Sequence, residues 1–291
     1  MPSGSVLYSG ATASAIQQHY DASNEFFALW LDEGLTYSCA RWEPGDTLEA
    51  AQVRKLDLLL DLARARGAGR LLDVGCGWGS LLRRATGAYD VREAVGLTLS
   101  PNQARWSTER GLPAGVEIRL ENWVDHQPAE PYGAIVSIGA FEHFARFGLA
   151  PAERLEAYRR FFRFCRQALP PGGRLVVQTN IKGNNNRLDR ATVREMMFII
   201  ESIFPQSEMP RMSELVAASE TLFEVLSVRN DGPDYIRTLT EWSRRLRHRR
   251  DDAVALVGER MVADYEHYLA AAARHFERRH LGLARVVYEA V

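Results

Sequence analysis

The densest group of chemistry-bearing residues is the run Leu72-Asp73-Val74-Gly75-Cys76-Gly77-Trp78-Gly79. An apolar stretch, RLLDV, breaks there into glycines and then into SLLRR, a strand running through a turn into a helix. Glycines at such a turn let the backbone come close to a ligand and accept positive φ. The start of the following helix adds unpaired N–H groups. The spacing is G-x-G-x-G rather than the dinucleotide G-x-G-x-x-G. Asp73, just ahead of the first glycine, suits a cationic or amine-bearing ligand better than a pyrophosphate. Gly75, Gly77 and Asp73 are therefore read as holding S-adenosylmethionine (SAM), with Cys76 and Trp78 as packing residues.

A dinucleotide site would end its second strand in an acid for the ribose hydroxyls. Here that strand ends Gly96-Leu97-Thr98-Leu99-Ser100. Ribose contact would fall to Thr98 and Gln103. The same residues also read as a helix start, with Ser100 as cap, Pro101 at the first helical position and Gln103 at the third. Both readings stand on the local sequence.

The elements that must carry these residues alternate. Residues 91–98, 116–120, 132–141 and 172–181 read as strands, with helices over 101–110 and 152–168 between them. This alternation implies a parallel sheet with right-handed crossovers. Before it, residues 12–31 show helical spacing of Ile16, Tyr20, Phe26, Phe27, Trp30 and Leu31. Residues 47–66 form an amphipathic helix with Val53, Leu56, Leu59, Leu60 and Leu62 on its inner side. After it come a polar loop at 182–187, a helical run over 190–203, a strand at 222–229, helices over 236–250 and 252–279, and a last strand at 283–290. The expected organisation is one domain: a helical cap over 1–66, a SAM-binding core over 67–182, a helical insertion over the active site at 183–220, and completion of the core over 221–291.

Composition narrows the partners. The 291 residues carry 36 basic and 37 acidic side chains, a formal net charge of -1, which gives no reason to expect nucleic acid. Only Lys55 and Lys182 are lysines. The three cysteines, Cys39, Cys76 and Cys165, have no metal-ligand spacing, so neither a metal site nor a disulfide scaffold is expected. No signal peptide or apolar run of membrane-spanning length is evident, which points to a cytoplasmic protein without stable membrane insertion. The run RRLRHRR at 244–250 reads as a solvated helix face as well as a basic surface. The oligomeric state is not legible.

Longer runs carry a resemblance. HYDASNEFFALWLDEGLTYSCARW (19–42), LLDVGCGWGSLL, VGLTLSPNQ (95–103) and SIGAFEHF (137–144) resemble the cyclopropane-fatty-acid synthase family, which includes the mycolic acid cyclopropane synthases. IFPQSEMPR, YIRTLTEW (235–242) and the helix with Tyr265, Tyr268 and Leu269 extend it over nearly the whole chain. The resemblance implies a Rossmann-like class I methyltransferase fold: a mostly parallel seven-stranded sheet with helices on both faces. It implies SAM contacts from Tyr37, Ser38, Gly75, Gly77, Thr98, Gln103 and Trp123. It also implies methyl transfer to the double bond of a hydrophobic acyl substrate, free or carrier-bound. A carbocation results, which loses a proton to close a cyclopropane or leaves as a methyl branch or methylene.

Such a cation needs apolar or aromatic walls and one base. Phe26, Phe27, Trp30, Phe141, Phe204 and Tyr235 are available rings. The family's base is a bicarbonate ion. Cys39, Glu142 and Tyr235 match the residues around it, but Gln178 stands where a histidine is expected. An amide can hydrogen-bond an oxyanion yet carries no charge and shuttles no proton. Either the ion is still held and cyclopropanation survives, or Glu142 or Tyr235 takes the proton and the ring does not close. His143 is read as a packing or hydrogen-bonding residue. The apolar run Met196, Met197, Phe198, Ile199, Ile200 and Ile203 fits a lipid tunnel as well as a packed helix. The alternative function keeps the fold and SAM: a secondary-metabolite methyltransferase acting at carbon or nitrogen of a small or carrier-bound molecule. A catalytically inert SAM-binding scaffold is the third reading.

Overall fold

The structure is a computed structural model that describes residues 10–12 and 23–291. The expected helix over 12–31 therefore falls partly outside the described residues, Ile16 and Tyr20 included. Its described part is α1, Asn24–Ala28, capped by the Ser23 hydroxyl. The chain continues through α2 (Leu48–Leu62), β1 (Arg70–Val74), α3 (Ser80–Ala88), β2 (Glu93–Thr98), α4 (Pro101–Glu109), β3 (Val116–Leu120) and β4 (Ala134–Ile138). Then come α5 (Pro151–Ala168), β5 (Arg174–Lys182), α6 (Arg190–Phe198), α7 (Met212–Ser219) and β6 (Phe223–Asn230). The last elements are α8 (Gly232–His248), α9 (Arg250–Val257), α10 (Glu259–Glu277) and β7 (Leu281–Ala290).

One seven-stranded sheet has the order β3-β2-β1-β4-β5-β7-β6. The pairs β1–β2, β1–β4, β2–β3 and β4–β5 are parallel, as the alternating elements require. β7 runs antiparallel between β5 and β6, so the sheet is mixed at this edge. The strand order reverses between β1 and β4. Crossovers leave opposite faces there and open a crevice at the carboxyl ends of the strands, where α/β folds bind ligands. The glycine turn follows β1 and Glu142 follows β4, so both reach this crevice.

Local chemistry accounts for most boundaries. The Thr47 hydroxyl caps α2 by accepting from Ala50 N. Ser100 caps α4 by accepting from Gln103 N, with Pro101 at its start. Three expectations need correction. First, α2 ends at Leu62, short of residue 66, and Val53 is 42% exposed rather than inward-facing. Second, the helix expected over 252–279 is two helices, because Gly258 at φ +82 interrupts the right-handed turn. Third, only part of 183–220 covers the crevice. α6 and the π-helical turn at Ile199–Ile203 line a cavity there. α7 instead packs on α5, where Arg154 pairs with Glu214 and Leu215 joins the core around Phe161 and Phe162.

At the glycine turn the two glycines differ. Gly75 has φ +84, and a Cβ there would lie 2.4 Å from the Ala140 Cβ. Gly77 has φ +56 but open space around it. Gly75→Ala is expected to cost about 2–4 kcal/mol, left-handed strain plus overpacking, and Gly77→Ala about 1 kcal/mol, strain alone. Urea denaturation of both variants measures the difference; equal losses would show that the approach to Ala140 is not what constrains Gly75.

Candidate functional site

Loop 36–40 is built first, because it separates the two halves of the site. Asp32 accepts from Thr36 N at 2.8 Å and Thr36 Oγ1 at 3.0 Å. From α2, Gln52 Nε2 donates to Thr36 O and Ser38 O, and Lys55 Nζ donates to Ser38 Oγ at 3.0 Å. Thr238 Oγ1 on α8 accepts from Ala40 N and from Trp42 Nε1. These buried polar contacts hold Tyr37, Ser38 and Cys39 at the carboxyl ends of the strands.

On one side of the loop lies a crevice lined by Tyr37, Ser38, Lys55, Asp73, Gly75, Gly77, Thr98, Gln103 and Trp123. Every cofactor position expected from the sequence thus faces one space. The two readings of Thr98 and Gln103 are compatible. Gln103 N donates to the Ser100 cap, Thr98 Oγ1 donates to Gln103 Oε1 at 3.0 Å, and both side chains line the crevice. Cys76 and Trp78 are buried at its wall, with Trp78 Nε1 donating to Asn24 Oδ1.

Sequence reasoning passed over Lys55, Glu121 and Asn122, which also line this crevice. Lys55 was visible as one of two lysines, set among the apolar positions of an amphipathic helix. Glu121 directly follows β3, the place where an acid missing from the end of β2 could have been sought. Burial pulls the Lys55 ammonium down to about 8, with the neighbouring Asp32 opposing. Burial pushes the Asp73 carboxyl up to about 7 against the pull of Lys55, and its Oδ1 is buried with no hydrogen-bond partner among the described residues.

On the other side of the loop is a cavity of about 60 Å³ lined by Cys39, Glu142, Gln178 and Tyr235, with Asn180, Ser207 and Tyr268. The four expected catalytic residues, separated by up to 196 positions, meet there. Glu142 is not salt-bridged within the described residues. Its Oε1 accepts from Asn180 N at 2.6 Å, while Oε2 and the Asn180 Oδ1 are buried without partners there. Burial raises the Glu142 carboxyl above its ordinary range, with the Asn180 N–H opposing. The Cys39 thiol is pushed up to about 12 by burial, so it stays protonated. Cys39 contributes instead through its carbonyl, which accepts from Gln178 Nε2 at 3.2 Å. Burial also holds Tyr235 well above the usual phenol range. His143 makes a 2.8 Å hydrogen bond between Nδ1 and Ser207 Oγ, and burial pulls it down to about 4, so it is neutral at pH 7.

A third cavity, of about 640 Å³, is lined by Met196, Met197, Ile199, Ile200, Leu239 and Phe276. Four residues of the apolar run are therefore cavity wall, while Phe198 and Ile203 pack with the core. Phe147, Leu188 and Val193 line the same cavity and are 43–51% exposed, which sets them at its rim. The three spaces share walls in sequence. Tyr37, Ser38, Gly139 and His143 border the first two. Asn180, Phe204, Ser207, Tyr235 and Tyr268 border the second and third. Of the candidate rings, Phe204 and Tyr235 reach these walls, whereas Phe26, Phe27, Trp30 and Phe141 are core. The arginines of 244–250 are largely taken up in ion pairs, Arg245 with Glu49 and Glu241 and Arg249 with Asp252. Among the described residues, no helix is long and apolar enough to cross a membrane, and no group of His, Cys, Asp or Glu could hold a metal ion.

The family model for mycolic acid cyclopropane synthetase matches residues 9–286. Cyclopropane mycolic acid synthase 2 of Mycobacterium leprae is 38% identical over 286 residues, covering 91% of this chain and 90% of that protein. A hydroxymycolate synthase of Mycobacterium tuberculosis is 37% identical, covering 94% and 91%. Among solved structures, a cyclopropane synthase from Mycobacterium tuberculosis superposes with a TM-score of 0.88 at 33% identity, covering 96% of this chain and 99% of that one. A mycolic acid cyclopropane synthase complexed with SAH and CTAB gives 0.86 at 33% identity, with the same coverage. A coclaurine N-methyltransferase, at 21% identity and a TM-score of 0.80, shares the fold.

The raised carboxyl of Asp73 has a signed consequence. Between pH 4 and 7 the folded protein keeps a proton that the unfolded chain has lost, so ionising Asp73 opposes folding as pH rises. Its contribution falls by up to about 4 kcal/mol across that window and is constant above it. Asp73→Asn should remove this fall. Urea midpoints of the ligand-free protein and variant at pH 4.5–7.5 should converge towards low pH and separate towards neutrality, the variant being the more stable.

Proposed function

The chain belongs to the mycolic acid cyclopropane synthetase family, and on that premise we propose the following assignment of its residues. The protein is a SAM-dependent methyltransferase of the cyclopropane-synthase type, acting on a carbon–carbon double bond of a lipid-like acyl chain. SAM, when bound, supplies an electrophilic methyl group. One observation supports the arrangement above the others: the small polar cavity lies between the cofactor crevice and the large apolar cavity and shares walls with both.

The residues divide the work. Gly75 and Gly77 let the backbone approach the cofactor, Thr98, Gln103 and Trp123 hold its nucleoside end, and Tyr37 and Ser38 close it off from the loop side. Asp73 takes the cofactor ammonium. Lys55 can only donate, so it leaves the Ser38 hydroxyl proton free to donate to the cofactor carboxylate. Met196, Met197, Ile199 and Ile200 exclude water from the chain that receives the methyl group. Its polar end, a free acid or a carrier thioester, lies toward the rim with Lys182, Asn184, Asn186 and Arg211. Phe204, Tyr235 and Tyr268 wall the carbon that becomes cationic, where aromatic faces contribute about 2 kcal/mol in a dry site.

The residues of the small cavity fit a bicarbonate ion. Glu142 Oε2 and Asn180 Oδ1, unpartnered among the described residues, suit its O–H, and Gln178 brings an N–H for its oxyanion. Bicarbonate, when bound, supplies a base. Glu142 holds its own proton more readily than an exposed acid does, so it can share the proton that ring closure releases. We favour cyclopropanation over the ring-open exits on this donor and acceptor set. The free thiols of Cys39, Cys76 and Cys165 suit a reducing compartment, and we put the reaction in the cytoplasm.

Purified protein incubated with SAM and unsaturated acyl chains, as phospholipid and as carrier thioester, should release SAH and yield cyclopropane product identified by mass spectrometry and proton NMR. Glu142→Gln should lower that rate by about 100-fold or more while leaving SAH affinity within about twofold. Methylation of small amines with no acyl product would overturn the reading in favour of the heteroatom alternative. SAH binding should itself depend on pH. It should tighten by up to about tenfold per pH unit as Asp73 ionises up to pH 7, and weaken above about 8 as Lys55 loses its charge. Titration calorimetry checks both limbs, Asp73→Asn removing the first and Lys55→Met the second.

A further inference from the structure

Gln178 and Arg285 are direct cross-strand partners of β5 and β7, so the register puts both side chains on one face of the sheet. Of the two charged residues in Leu281–Ala290, Glu289 is partly exposed and Arg285 is buried, at 1% exposure. Each nitrogen of its guanidinium is engaged. Nη1 reaches Asp231 at 2.5 Å and Asp234 at 3.6 Å, Nη2 donates to Ala40 O at 3.0 Å and faces Cys39 Sγ at 3.8 Å, and Nε donates to Gln178 Oε1 at 2.8 Å.

The last contact settles which way the amide points. Guanidinium only donates, so the atom facing it must be the Gln178 oxygen. The second contact agrees, because the Cys39 carbonyl only accepts and faces Gln178 Nε2 at 3.2 Å. One Nε2 hydrogen is spent there. The other remains for whatever occupies the cavity that Gln178 lines. Arg285 does not line that cavity; it reaches it through the amide, with its remaining nitrogens holding the Cys39–Ala40 loop and the start of α8.

We infer that Arg285 is a positioning residue: it locks the Gln178 carboxamide so that an N–H, and not the carbonyl, meets an oxyanion in the small polar cavity. The inference rests on the proposed function in taking that cavity to lie beside the reacting carbon. A glutamine free to turn would offer oxygen or nitrogen with little preference, and an oxygen there would repel the anion. The donor so fixed has no titrating proton, so it stays the same at every pH at which the protein is folded. The histidine expected at this position would change charge near neutrality. Glu142 Oε2 and Asn180 Oδ1, without partners among the described residues, complete the set with acceptors, which selects an anion that also carries an O–H.

The test uses the SAH-saturated full chain and carbon-13 bicarbonate, whose binding is read from line broadening of its NMR signal. Wild type and Arg285→Lys, which can still donate to the amide oxygen, should both bind. Arg285→Met frees the amide. Gln178→Glu keeps a partner for the guanidinium, and so the fold, but removes the N–H. Both should weaken bicarbonate by about tenfold or more, the loss expected for a hydrogen bond to a charged group, with SAH affinity within about twofold of wild type. Bicarbonate binding to Gln178→Glu as tight as to wild type would overturn the inference, as would no binding to wild type. Parallel loss of SAH and bicarbonate affinity in Arg285→Met, with Gln178→Glu unaffected, would reduce Arg285 to a structural role and also overturn it. If the bicarbonate pattern holds but no unsaturated acyl substrate is methylated, the acyl-chain reading fails and the role of Arg285 stands.

Discussion

The buried guanidinium of Arg285 is the contact on which the second half of the site depends. It ties four separate pieces of chain: β7, the Gln178 position of β5, the loop at Cys39 and Ala40, and the start of α8 through Asp231 and Asp234. A cation withdrawn this far from water is tolerated only with compensating anions and filled hydrogen bonds, and removing one partner of such a pair typically costs 3–5 kcal/mol. Asp231 serves two arginines, accepting also from Arg229 at 3.2 Å, and its carboxyl is held below the usual range. Burial alone would raise it, so the guanidinium groups more than offset desolvation. The cluster converts an electrostatic demand into the geometry of a cavity wall.

The cofactor crevice answers to a different constraint, the close approach of backbone at the reversal point of the sheet. Gly75 sits against Ala140, the residue that leads from β4 into the turn bearing Glu142. A side chain at 75 would push these two carboxyl ends apart. The cofactor crevice and the polar cavity would then lose their common wall, which includes Gly139 and His143. Asp73 and Lys55 face this crevice with perturbed affinities for protons, one raised and one lowered, both chiefly by burial. In the proposed assignment a zwitterionic amino-acid end would recover the solvation each of them lacks, so the pair suits a ligand carrying both charges.

Between the two constraints runs loop 36–40, which has no regular structure and is specified almost wholly by side chains from elsewhere. Gln52 and Lys55 hold it from α2, and Thr238 from α8. The arrangement lets one short segment present Tyr37 and Ser38 to the crevice proposed for the cofactor and Cys39 to the smaller cavity. It also explains why Cys39 acts through its main chain: with the thiol buried and protonated, the fixed feature is the carbonyl that holds Gln178.

Much of this was legible in the sequence, for reasons of range. The strand at 116–120 and the start of the helix at Pro101 follow from hydrophobic period and from capping by Ser100, which are interactions between near neighbours. The glycine turn, Asp73 and the positions expected to meet cofactor are likewise local, and the family resemblance carried Cys39, Glu142, Gln178 and Tyr235 into one proposed group. What local pattern could not decide was long-range. Val53 looked inward by period, yet it is 42% exposed among the described residues. The break at Gly258 is a backbone choice inside an unbroken helical pattern, and α7 turned to α5 rather than over the crevice. Gln178 left two outcomes open, the ion kept or lost, because its partner lies 107 residues away on an antiparallel strand. Only the register of β5 with β7 brings Arg285 to its carbonyl, and only the exclusion of water there makes that one hydrogen bond decide which way the amide faces.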